Sequence, residues 1–474
     1  MYLMEFVSVR VAPYDVLRVK ECNGSSRVLI RFHTGQYVWL DWDEYKFLMR
    51  LSPVWTLQPL LDGDKKILDN LVKLGVAHVK EARPRFYITF KTTKGCNLGC
   101  TYCYEWANPE KLSMSARLDL AERAVKVFSD IGSLFFVWHG GEPTLFWETI
   151  IEPVVSKYYK KDHVRFGMQS NGVRFADEKF ADRAAKFAKQ YDMGIGISID
   201  GFKEDNWMRH FPDGTPAWEY TVKGIRNLVS RGVRTGSIVV VNDRSVHHLV
   251  DIVKWLHEDL GLHGGRLNPL YPAGHPEVVK HTPDPEEYAE GLVKVAKRVI
   301  EYNLDGDEVR DEFTVKNIVE YLTSFFNATS SICVRNVCGA GTYFFSIQPN
   351  GDVWPCDHVQ FSIGNILDGW TPSVPRPAQL YKFWEAQVRQ FQVYYNFESP
   401  CARCPYRTYC NGGGCTAFLI DMYGYDFYKK PPVYCPRKLF EFFEKLVSEQ
   451  RDLELAALAP NHVYKYWYLG GAPA

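Results

Sequence analysis

The stretch Gly95-Cys96-Asn97-Leu98-Gly99-Cys100-Thr101-Tyr102-Cys103 carries three cysteines within eight residues and has no fourth cysteine nearby. Three close thiolates can hold three irons of a cubane cluster and leave the fourth iron open to a ligand that is not protein. The stretch therefore predicts an open, reactive iron. A zinc site would need a fourth ligand from afar, and plant-type ferredoxin spacing has a longer first gap. An odd local number of thiols also argues against disulfides.

The composition describes a large globular chain without net charge. Its 474 residues, 46% hydrophobic and 15% aromatic, can form about two to three domains. Lys plus Arg and Asp plus Glu number 56 each, so no overall field attracts nucleic acid or an anionic membrane. No stretch approaches about 18 uninterrupted apolar residues, and Met1 to Val11 lack the pattern of an export signal. We therefore expect a cytoplasmic protein.

The twelve cysteines are unevenly distributed. Eleven of them fall into two groups, the first triplet and eight cysteines between Cys333 and Cys435. Such a load is unusual for a reducing compartment unless the thiols bind metal. Only Cys22 stands alone, and we expect it to be a small buried apolar side chain.

Residues 1–82 are predicted to form a separate small unit. Short apolar or alternating runs predict strands, helical periodicity predicts two helices, and a polar turn predicts a hairpin. The predicted strands are Ser8–Arg10, Val28–Phe32, Tyr37–Leu40 and Val76–Val79, the helices are Asp43–Leu51 and Lys65–Leu74, and the turn is Thr34-Gly35-Gln36. Together they predict a compact module similar to a winged helix.

From Phe86 the pattern changes to a regular alternation of strands and helices, which predicts an α/β fold. The predicted strands are Phe86–Lys91, Leu134–Trp138, Val164–Gln169, Gly194–Ile199, Thr235–Val241 and Arg266–Leu270, and amphipathic stretches between them include Ser115–Ile131, Asp177–Tyr191, Trp218–Arg231 and Ser245–Leu260. Six repeats over residues 83–284 predict a partial (β/α)6 TIM barrel. Reactive groups in such sheets collect at the carboxyl ends of the strands.

Polar motifs follow directly after three of these strands. They are Gly140-Gly141-Glu142-Pro143, Gln169-Ser170-Asn171-Gly172 and Ser198-Ile199-Asp200-Gly201, with Arg209 a short loop later. The two glycines would let backbone groups approach a ligand, Glu142 could accept from an ammonium group, and Arg209 could bind a carboxylate. Each motif alone also fits an ordinary turn. In order, they predict a polar ring around the barrel mouth.

The three-cysteine stretch, Gly140-Gly141-Glu142-Pro143-Thr144-Leu145, Ser170-Asn171-Gly172 and Ser198-Ile199-Asp200-Gly201 together resemble the radical S-adenosylmethionine (SAM) superfamily over roughly residues 86–275. The resemblance implies that SAM binds the open iron of a [4Fe–4S] cluster and is cleaved reductively to a 5′-deoxyadenosyl radical, which abstracts a substrate hydrogen. The protein would hold SAM and substrate in position. The residues implied to contact SAM are Tyr102, near the adenine, and Gly140, Gly141, Glu142, Ser170, Asn171, Ser198 and Arg209.

The eight later cysteines could complete two four-cysteine clusters, with zinc sites as the alternative. Their arrangement resembles the SPASM domain of radical SAM peptide and protein maturases. The resemblance implies two auxiliary [4Fe–4S] clusters, one on Cys333, Cys338, Cys356 and Cys415 and the other on Cys401, Cys404, Cys410 and Cys435. The chain departs from the family in having four residues instead of three between Cys410 and Cys415.

Asp357 follows Cys356 in a segment similar to that of anaerobic sulfatase-maturating enzymes, in which an aspartate beside a cluster ligand serves as a base. A carboxylate there could accept the proton lost when a substrate radical is oxidised, although a turn-capping role fits as well. Glu105, however, stands where those enzymes carry a tyrosine. They also lack a module like residues 1–82, which instead resembles the leader-peptide recognition element of ribosomal-peptide maturases.

The sequence thus predicts a recognition module (residues 1–82), a radical SAM partial barrel (83–284), a helical bridge (285–326), a SPASM domain (327–440), and a C-terminal helix and tail (441–474). We expect an oxidoreductase that modifies a peptide or protein by a thioether, a crosslink or side-chain oxidation. Its expected electron donor is a low-potential protein such as ferredoxin or flavodoxin. The alternatives are formylglycine formation on a sulfatase, and an iron–sulfur electron-transfer or scaffold protein without turnover.

Overall fold

A computed structural model describes residues 6–11, 14–22, 25–32, 37–49, 51, 56–59, 64–81, 85–271, 275–325, 339–372, 377–391, 404–406, 415–429 and 435–460. Several predicted features lie outside these residues. They are the turn at residues 34–36, the cysteines Cys333, Cys338, Cys401 and Cys410, and the tail from residue 461 onward.

The described strands and helices follow one another along the chain. The strands are β1 (Phe6–Val11), β2 (Tyr14–Cys22), β3 (Ser25–Phe32), β4 (Tyr37–Asp41), β5 (Thr56–Pro59), β6 (Ala77–Glu81), β7 (Arg85–Thr93), β8 (Ser133–Gly140), β9 (Val164–Ser170), β10 (Gly194–Ser198), β11 (Thr235–Val241), β12 (Gly264–Pro269), β13 (Leu304–Asp305), β14 (Glu308–Val309), β15 (Thr314–Val315), β16 (Phe344–Ile347) and β17 (Val353–Trp354). The helices are α1 (Trp42–Met49), α2 (Asp64–Lys73), α3 (Leu118–Ser129), α4 (Glu152–Tyr158), α5 (Glu178–Gln190), α6 (Trp218–Ser230), α7 (Leu249–Lys254), α8 (Pro285–Asn303), α9 (Lys316–Phe325), α10 (Ala378–Phe391), α11 (Thr416–Tyr423), α12 (Arg437–Ser448) and α13 (Asp452–Leu458).

A sheet of nine strands forms the centre of the protein, in the order β15-β12-β11-β10-β9-β8-β7-β16-β17. Strands β7 to β12 pair in parallel, each with its neighbour in sequence, and helices return the chain between most of them. This is the partial barrel expected from the sequence, and the six predicted strands are confirmed to within a few residues. Side chains alternate across each strand. Ile88 and Phe90 of β7 therefore pack into the core beneath the helices, with Trp138 of β8 and Phe166 of β9.

The opposite face of the sheet, here called the inner face, carries the polar side chains of the same strands. Lys91 pairs with His139 across β7 and β8, and each lies one residue beyond an aromatic core residue, Phe90 or Trp138. Because successive strand residues point to opposite faces, Lys91 and His139 face away from the helices. The inner face is therefore where charged chemistry is possible.

The cysteine-rich part of the chain contributes directly to this sheet. Strand β16 pairs in parallel with β7, and Phe344 lies opposite Tyr87. Strand β17 then returns antiparallel to β16, with Val353 opposite Ile347. The segment that follows, from Cys356 onward, is thus held beside the strand that leads into the three-cysteine stretch.

The N-terminal module has its own core. It contains two antiparallel three-stranded sheets, β5-β1-β6 and β2-β3-β4. Both predicted helices are present as α1 and α2, and residues such as Val9, Ile30, Phe47 and Leu71 pack together. Strands β2 and β5 were not predicted from the sequence, and the described residues do not confirm a winged helix. On its outer side, Lys46 of α1 lies over the ring of Tyr381 in α10, with 5.2 Å between Nζ and the ring centroid.

From the sequence, one helix is also expected over Pro436–Leu458 at the start of the C-terminal segment, and this expectation is wrong. The chain forms α12 and α13, separated at residues 449–451, where Gln450 has a positive φ of 55°. A non-glycine residue in that region ends a right-handed helix. Within the parts of the chain that the structure describes, no helix combines the length and the apolar character needed to cross a membrane.

Candidate active site

The three-cysteine loop follows β7 directly and is fixed by backbone hydrogen bonds from a distant loop. Gly99 N donates to His210 O at 2.8 Å, and Thr101 N donates to Met208 O at 3.0 Å. The loop after β10 therefore pairs with the cluster loop almost as a strand would. This contact places Arg209, which lies between Met208 and His210, beside the three cysteines.

The thiols lie in a setting that suits a cluster. Leu98 N and Asn171 Nδ2 lie 3.4 Å and 3.6 Å from Cys96 Sγ, so both can donate to a bound thiolate. Burial raises the pKa of Cys96, and the charges of Glu142, Cys100 and Cys103 raise it further. Burial also raises the pKa of Cys100 to about 11. Thiols that so resist losing a proton need a cation to become thiolates, and an all-sulfur set of three fits an iron–sulfur cluster.

The paired glycines are explained by the close approach of the cluster loop. A Cβ on Gly141 would lie 1.9 Å from Gly95 O, and one on Gly140, whose φ is +117°, would lie 2.5 Å from Thr93 O. Gly141 N donates to Thr93 O at 2.7 Å. The sequence suggested that the glycines make room for a ligand. In the structure they make room for the backbone that carries Cys96.

Glu142 is completely buried, and its side chain joins the ends of β8 and β9. Its Oε1 accepts from Thr144 N at 3.0 Å, Thr144 Oγ1 at 2.6 Å and Ser170 Oγ at 2.8 Å, whereas Oε2 accepts from Asn171 N at 2.8 Å. Burial raises the pKa of Glu142, although these hydrogen bonds act in the opposite direction. Oε2 accepts from one of these donors and Oε1 from three, so Oε2 is the oxygen with capacity for a further donor.

Tyr102, Asp200 and Arg209 form a buried polar network next to the loop. The Tyr102 hydroxyl donates to Asp200 Oδ2 at 2.5 Å and accepts from Arg209 Nη1 at 2.9 Å. Asp200 N is itself fixed by Asn206 Oδ1 at 3.0 Å. Among the described residues, the buried Nε of Arg209 has no hydrogen-bond partner. The guanidinium is therefore held on one side and keeps a donor for a ligand.

A chain of polar side chains crosses the inner face from β8 to β10. Gln169 Nε2 lies 3.5 Å from Ser198 Oγ, and Gln169 also hydrogen-bonds His139. His139 Nδ1 accepts from Gly140 N at 2.8 Å. An acceptor Nδ1 assigns the proton to Nε2 in the neutral ring. Burial, and then Lys91, lower the pKa of His139 to about 4, so the ring is neutral at pH 7.

Lys91 is the centre of a second buried cluster. Its side chain is fully buried, and Nζ contacts Glu105 Oε1, Asp357 Oδ1 at 2.8 Å and His139 Nδ1 at 3.1 Å. Burial alone would lower the pKa of Lys91, but Asp357 and Glu105 raise it above its ordinary value. Burial would likewise raise the pKa of Glu105, but Lys91 and Lys94 bring it down to about 2. These groups are therefore ionised at neutral pH.

Asp357 reaches the inner face from the cysteine-rich segment. Its neighbour Cys356 is buried, and His358 N lies 3.4 Å from Cys356 Sγ. The His358 ring packs on Tyr104, with 4.6 Å between centroids, and Tyr104 is the residue after Cys103. The predicted base is thus close to the first cluster loop, and an aromatic pair lies between the two cysteine segments.

The other described cysteines of the C-terminal segment are Cys404, Cys415 and Cys435. Burial raises the pKa of Cys435, and Cys404 raises it further. The same cluster was predicted to contain both. The full pairing of eight ligands stays a prediction, because four of the cysteines lie outside the described residues.

The structure brings together most of the predicted site residues at one edge of the barrel. Tyr102 and Arg209 share one network, and Glu142, Ser170 and Asn171 share another that touches Cys96. Their contacts to SAM stay predictions. The sequence analysis did not single out Lys91, His139 or Asp200 as site residues. For Lys91 the available signal was a charge alternating with Ile88 and Phe90 in a buried strand.

Residues 90–256 match the family model of the radical SAM superfamily, and residues 338–405 match SPASM, an iron–sulfur cluster-binding domain. The chain carries a radical SAM domain followed by a SPASM domain. Its cofactors are accordingly SAM and [4Fe–4S] clusters. Cys96, the first of the three cysteines, lies six residues after the start of the first matched range, and Cys356 lies in the second.

Several curated proteins are similar to this chain over most of their length. The chain is 28% identical to the mycofactocin maturase MftC of Mycolicibacterium smegmatis, over 69% of this chain and 77% of the relative. It is 22% identical to a serine-type anaerobic sulfatase-maturating enzyme of Bacteroides thetaiotaomicron, over 70% and 82%. The solved structure of native anSMEcpe with bound AdoMet and the Kp18Cys peptide covers 78% of this chain and 100% of its own, with a TM-score of 0.60 and 22% identity. That likeness establishes the fold of the radical SAM and SPASM domains.

Proposed function

We propose that this radical SAM/SPASM enzyme is a maturase that modifies a peptide or protein by hydrogen abstraction. The observation that carries the proposal is the meeting of three separate segments at one site. The three-cysteine loop, the polar strand ends and Asp357 of the SPASM domain lie together at the inner face. A redox centre used only for electron transfer has no need of a buried polar ring and a carboxylate beside it.

The reactivity would come from a 5′-deoxyadenosyl radical that SAM and the first cluster generate together. The chain's own residues would bind SAM and orient it. Arg209 Nε is available for the SAM carboxylate, Glu142 Oε2 for its ammonium group, and Asn171 lies against the cluster ligand Cys96. The wider set of proposed SAM contacts comprises Tyr102, Gly140, Gly141, Glu142, Ser170, Asn171, Ser198 and Arg209.

Asp357 is proposed as the group that accepts a proton from the substrate. It lies beside Cys356 and is partly open, with 15% of its side chain exposed. Burial tends to raise the pKa of Asp357, but the Lys91 ammonium lowers it below its ordinary value. The group is thus charged and ready to accept a hydrogen bond from an acidic substrate hydrogen at neutral pH.

The substrate class rests on the relatives and on the N-terminal module. The named relatives include sulfatase and mycofactocin maturases. The module of residues 1–82 is proposed to recognise a leader peptide, which could extend one of its two small sheets by an added strand. The other proposed domain boundaries are 83–284, 285–326, 327–440 and 441–474, and the proposed electron donor is a ferredoxin or flavodoxin.

Formylglycine formation on a sulfatase is the second candidate. Two of the relatives are sulfatase-maturating enzymes, and by its resemblance to their sequences Asp357 is proposed to correspond to their base. Against it, Glu105, which Lys91 contacts together with Asp357, stands where the resemblance implies a tyrosine in those enzymes. Incubation with a sulfatase-derived peptide containing Cys or Ser, followed by mass spectrometry, separates the candidates. Formation of formylglycine would favour this second function.

The proposal is tested by replacing Cys96, Cys100 and Cys103 with alanine in the anaerobically purified protein. With SAM and dithionite the unaltered enzyme should produce 5′-deoxyadenosine, whereas the variant should produce none and retain about two-thirds of its iron in the auxiliary clusters. Persistent cleavage in the variant would show that the cluster roles are assigned wrongly. If the unaltered protein makes no 5′-deoxyadenosine, the electron-transfer alternative is correct. Precursor peptides encoded in neighbouring reading frames are the first substrates to assay.

A further inference from the structure

The ammonium group of Lys91 is surrounded by protein acceptors. It contacts Glu105 Oε1, Asp357 Oδ1 and His139 Nδ1, and its side chain has no exposed surface. A lysine ammonium has three hydrogens to donate. Its contacts with Glu105 and His139 have hydrogen-bond geometry, whereas its contact with Asp357 Oδ1 is an ion pair.

The three acceptors come from three separate parts of the chain. Glu105 lies two residues after Cys103, His139 is the penultimate residue of β8, and Asp357 belongs to the SPASM domain. Each of these segments approaches the proposed site from a different direction. Lys91 is thus a junction between the radical SAM domain and the SPASM domain.

Asp357 depends on this junction for its position. The carboxylate of Asp357 forms a salt bridge with Lys91, in which Oδ1 lies 2.8 Å from Nζ. Glu105, in contrast, has a second cation, because Lys94 Nζ lies 2.5 Å from its Oε2. Loss of Lys91 would therefore leave Glu105 paired and Asp357 without its counter-charge. A buried carboxylate that loses its cation is strongly destabilised and moves towards water.

We propose that Lys91 is a positioning residue, which fixes the Asp357 carboxylate, and with it the Cys356 segment, against the three-cysteine loop. The inference deepens the proposed function, since it rests on Asp357 acting at the substrate. Lys91 acts only through Asp357 and Glu105. The neutral His139 is a further polar contact of the Lys91 ammonium group and adds no charge.

Lys94 supplies a matched control. It is also a cation on the inner side of the loop and contacts the same Glu105, but its other contact is the ring of Trp354, at 5.6 Å from Nζ to the centroid. Both lysines can be replaced by methionine, which preserves most of the side-chain length and removes the charge. Each variant therefore removes one positive charge next to Glu105, but only Lys91→Met removes a charge that contacts Asp357.

The test measures the reduction potentials of the clusters in the holoenzyme by redox titration with EPR detection. A cation near a cluster stabilises its reduced form. Lys91→Met should therefore make the potential of the Cys356-linked auxiliary cluster more negative, and by more than Lys94→Met does. Adding Asp357→Asn to Lys91→Met removes the unpaired anion and should reverse most of the shift. Equal shifts in the two lysine variants, or a shift that Asp357→Asn does not reverse, would overturn the proposal.

If Lys91→Met alone does not fold, the double variant decides. Lys91→Met with Asp357→Asn should then fold with the iron content of the unaltered protein, because no uncompensated charge remains. Failure of the double variant as well would show that Lys91 does not act through Asp357. Production of 5′-deoxyadenosine by the unaltered enzyme is measured in parallel. Its absence would refute the proposed function, whereas the potentials and the rescue test the position of Asp357 independently.

Discussion

Tyr102 and Asp200 are joined by a hydrogen bond of 2.5 Å between the phenol oxygen and Oδ2. Tyr102 lies between the second and third cysteines of the cluster loop, and Asp200 lies at the end of β10. Arg209 Nη1 donates to the same phenol oxygen at 2.9 Å. The tyrosine thus links the cluster loop to the guanidinium proposed to bind SAM.

Replacement of this tyrosine, Tyr102→Phe, should weaken SAM binding and lower the stability of the protein. The buried carboxylate of Asp200 loses a donor, which costs about 1–3 kcal/mol, and Arg209 loses an anchor. Equilibrium titration with SAM and thermal melting measure the two effects. Tyr104→Phe is the control, because the Tyr104 ring packs on His358, outside this network. Equal losses in both variants would contradict a specific role for the Tyr102 hydroxyl.

Glu142→Gln should disrupt the junction of the strand ends. Both carboxylate oxygens accept hydrogen bonds, so an amide nitrogen at either position faces a donor, such as Asn171 N or Thr144 N. Such a mismatch of buried groups costs about 1–3 kcal/mol. We expect a lower melting temperature and loss of SAM cleavage. Glu148→Gln, which breaks a half-exposed ion pair with Arg174, should change the melting temperature little.

Gly141→Ala should displace the three-cysteine loop. A Cβ at this position would lie 1.9 Å from Gly95 O, so the backbone must shift. We expect loss of the first cluster, seen as a fall of about one-third in iron content and an absent SAM-dependent EPR change. Gly196→Ala is the control, since its Cβ would meet Met168 O at an ordinary 3.5 Å. Full iron content in Gly141→Ala would contradict the packing seen between the two loops.

The buried His139 predicts a loss of stability in acid. Its pKa is lowered from 6.5 to about 4, by burial first and then by Lys91. The folded protein therefore protonates His139 less readily than the unfolded chain does. The contribution of the neutral ring to the free energy of unfolding is complete above pH 6.5 and is lost as the pH falls towards 4. At pH 5 the free energy of unfolding is lower by about 2 kcal/mol as a result.

His139→Asn checks this sign, because its side-chain oxygen can replace Nδ1 as an acceptor but cannot be protonated in this range. The difference in melting temperature between pH 7 and pH 5 should be smaller in the variant. The pKa of His358 is also lowered to about 4, mainly by burial, so some pH dependence should remain. An unchanged difference would mean that folding does not lower the pKa of His139.

The strand pattern of the barrel could be predicted because its signal is local. Runs such as Val164–Gln169 are apolar, short and bounded by polar turns, and the observed β9 differs from that prediction by one residue. The strands of the N-terminal module were harder to predict, since β2 contains several charged residues and pairs with β3 through a bulge between Val16 and Arg18. The interruption at Gln450 could not be foreseen either, because no glycine or proline marks it.

The sequence by itself determined the cofactors, through the spacing of Cys96, Cys100 and Cys103 and the order of the motifs that follow. Ligands within one short loop and polar residues at strand ends need only local geometry to meet. The tertiary structure alone decided the partners of Asp357. Its contact with Lys91 depends on the pairing of β16 with β7, which places two segments far apart in sequence side by side. Because such pairing depends on the register of strands far apart in sequence, no local sequence pattern predicts it.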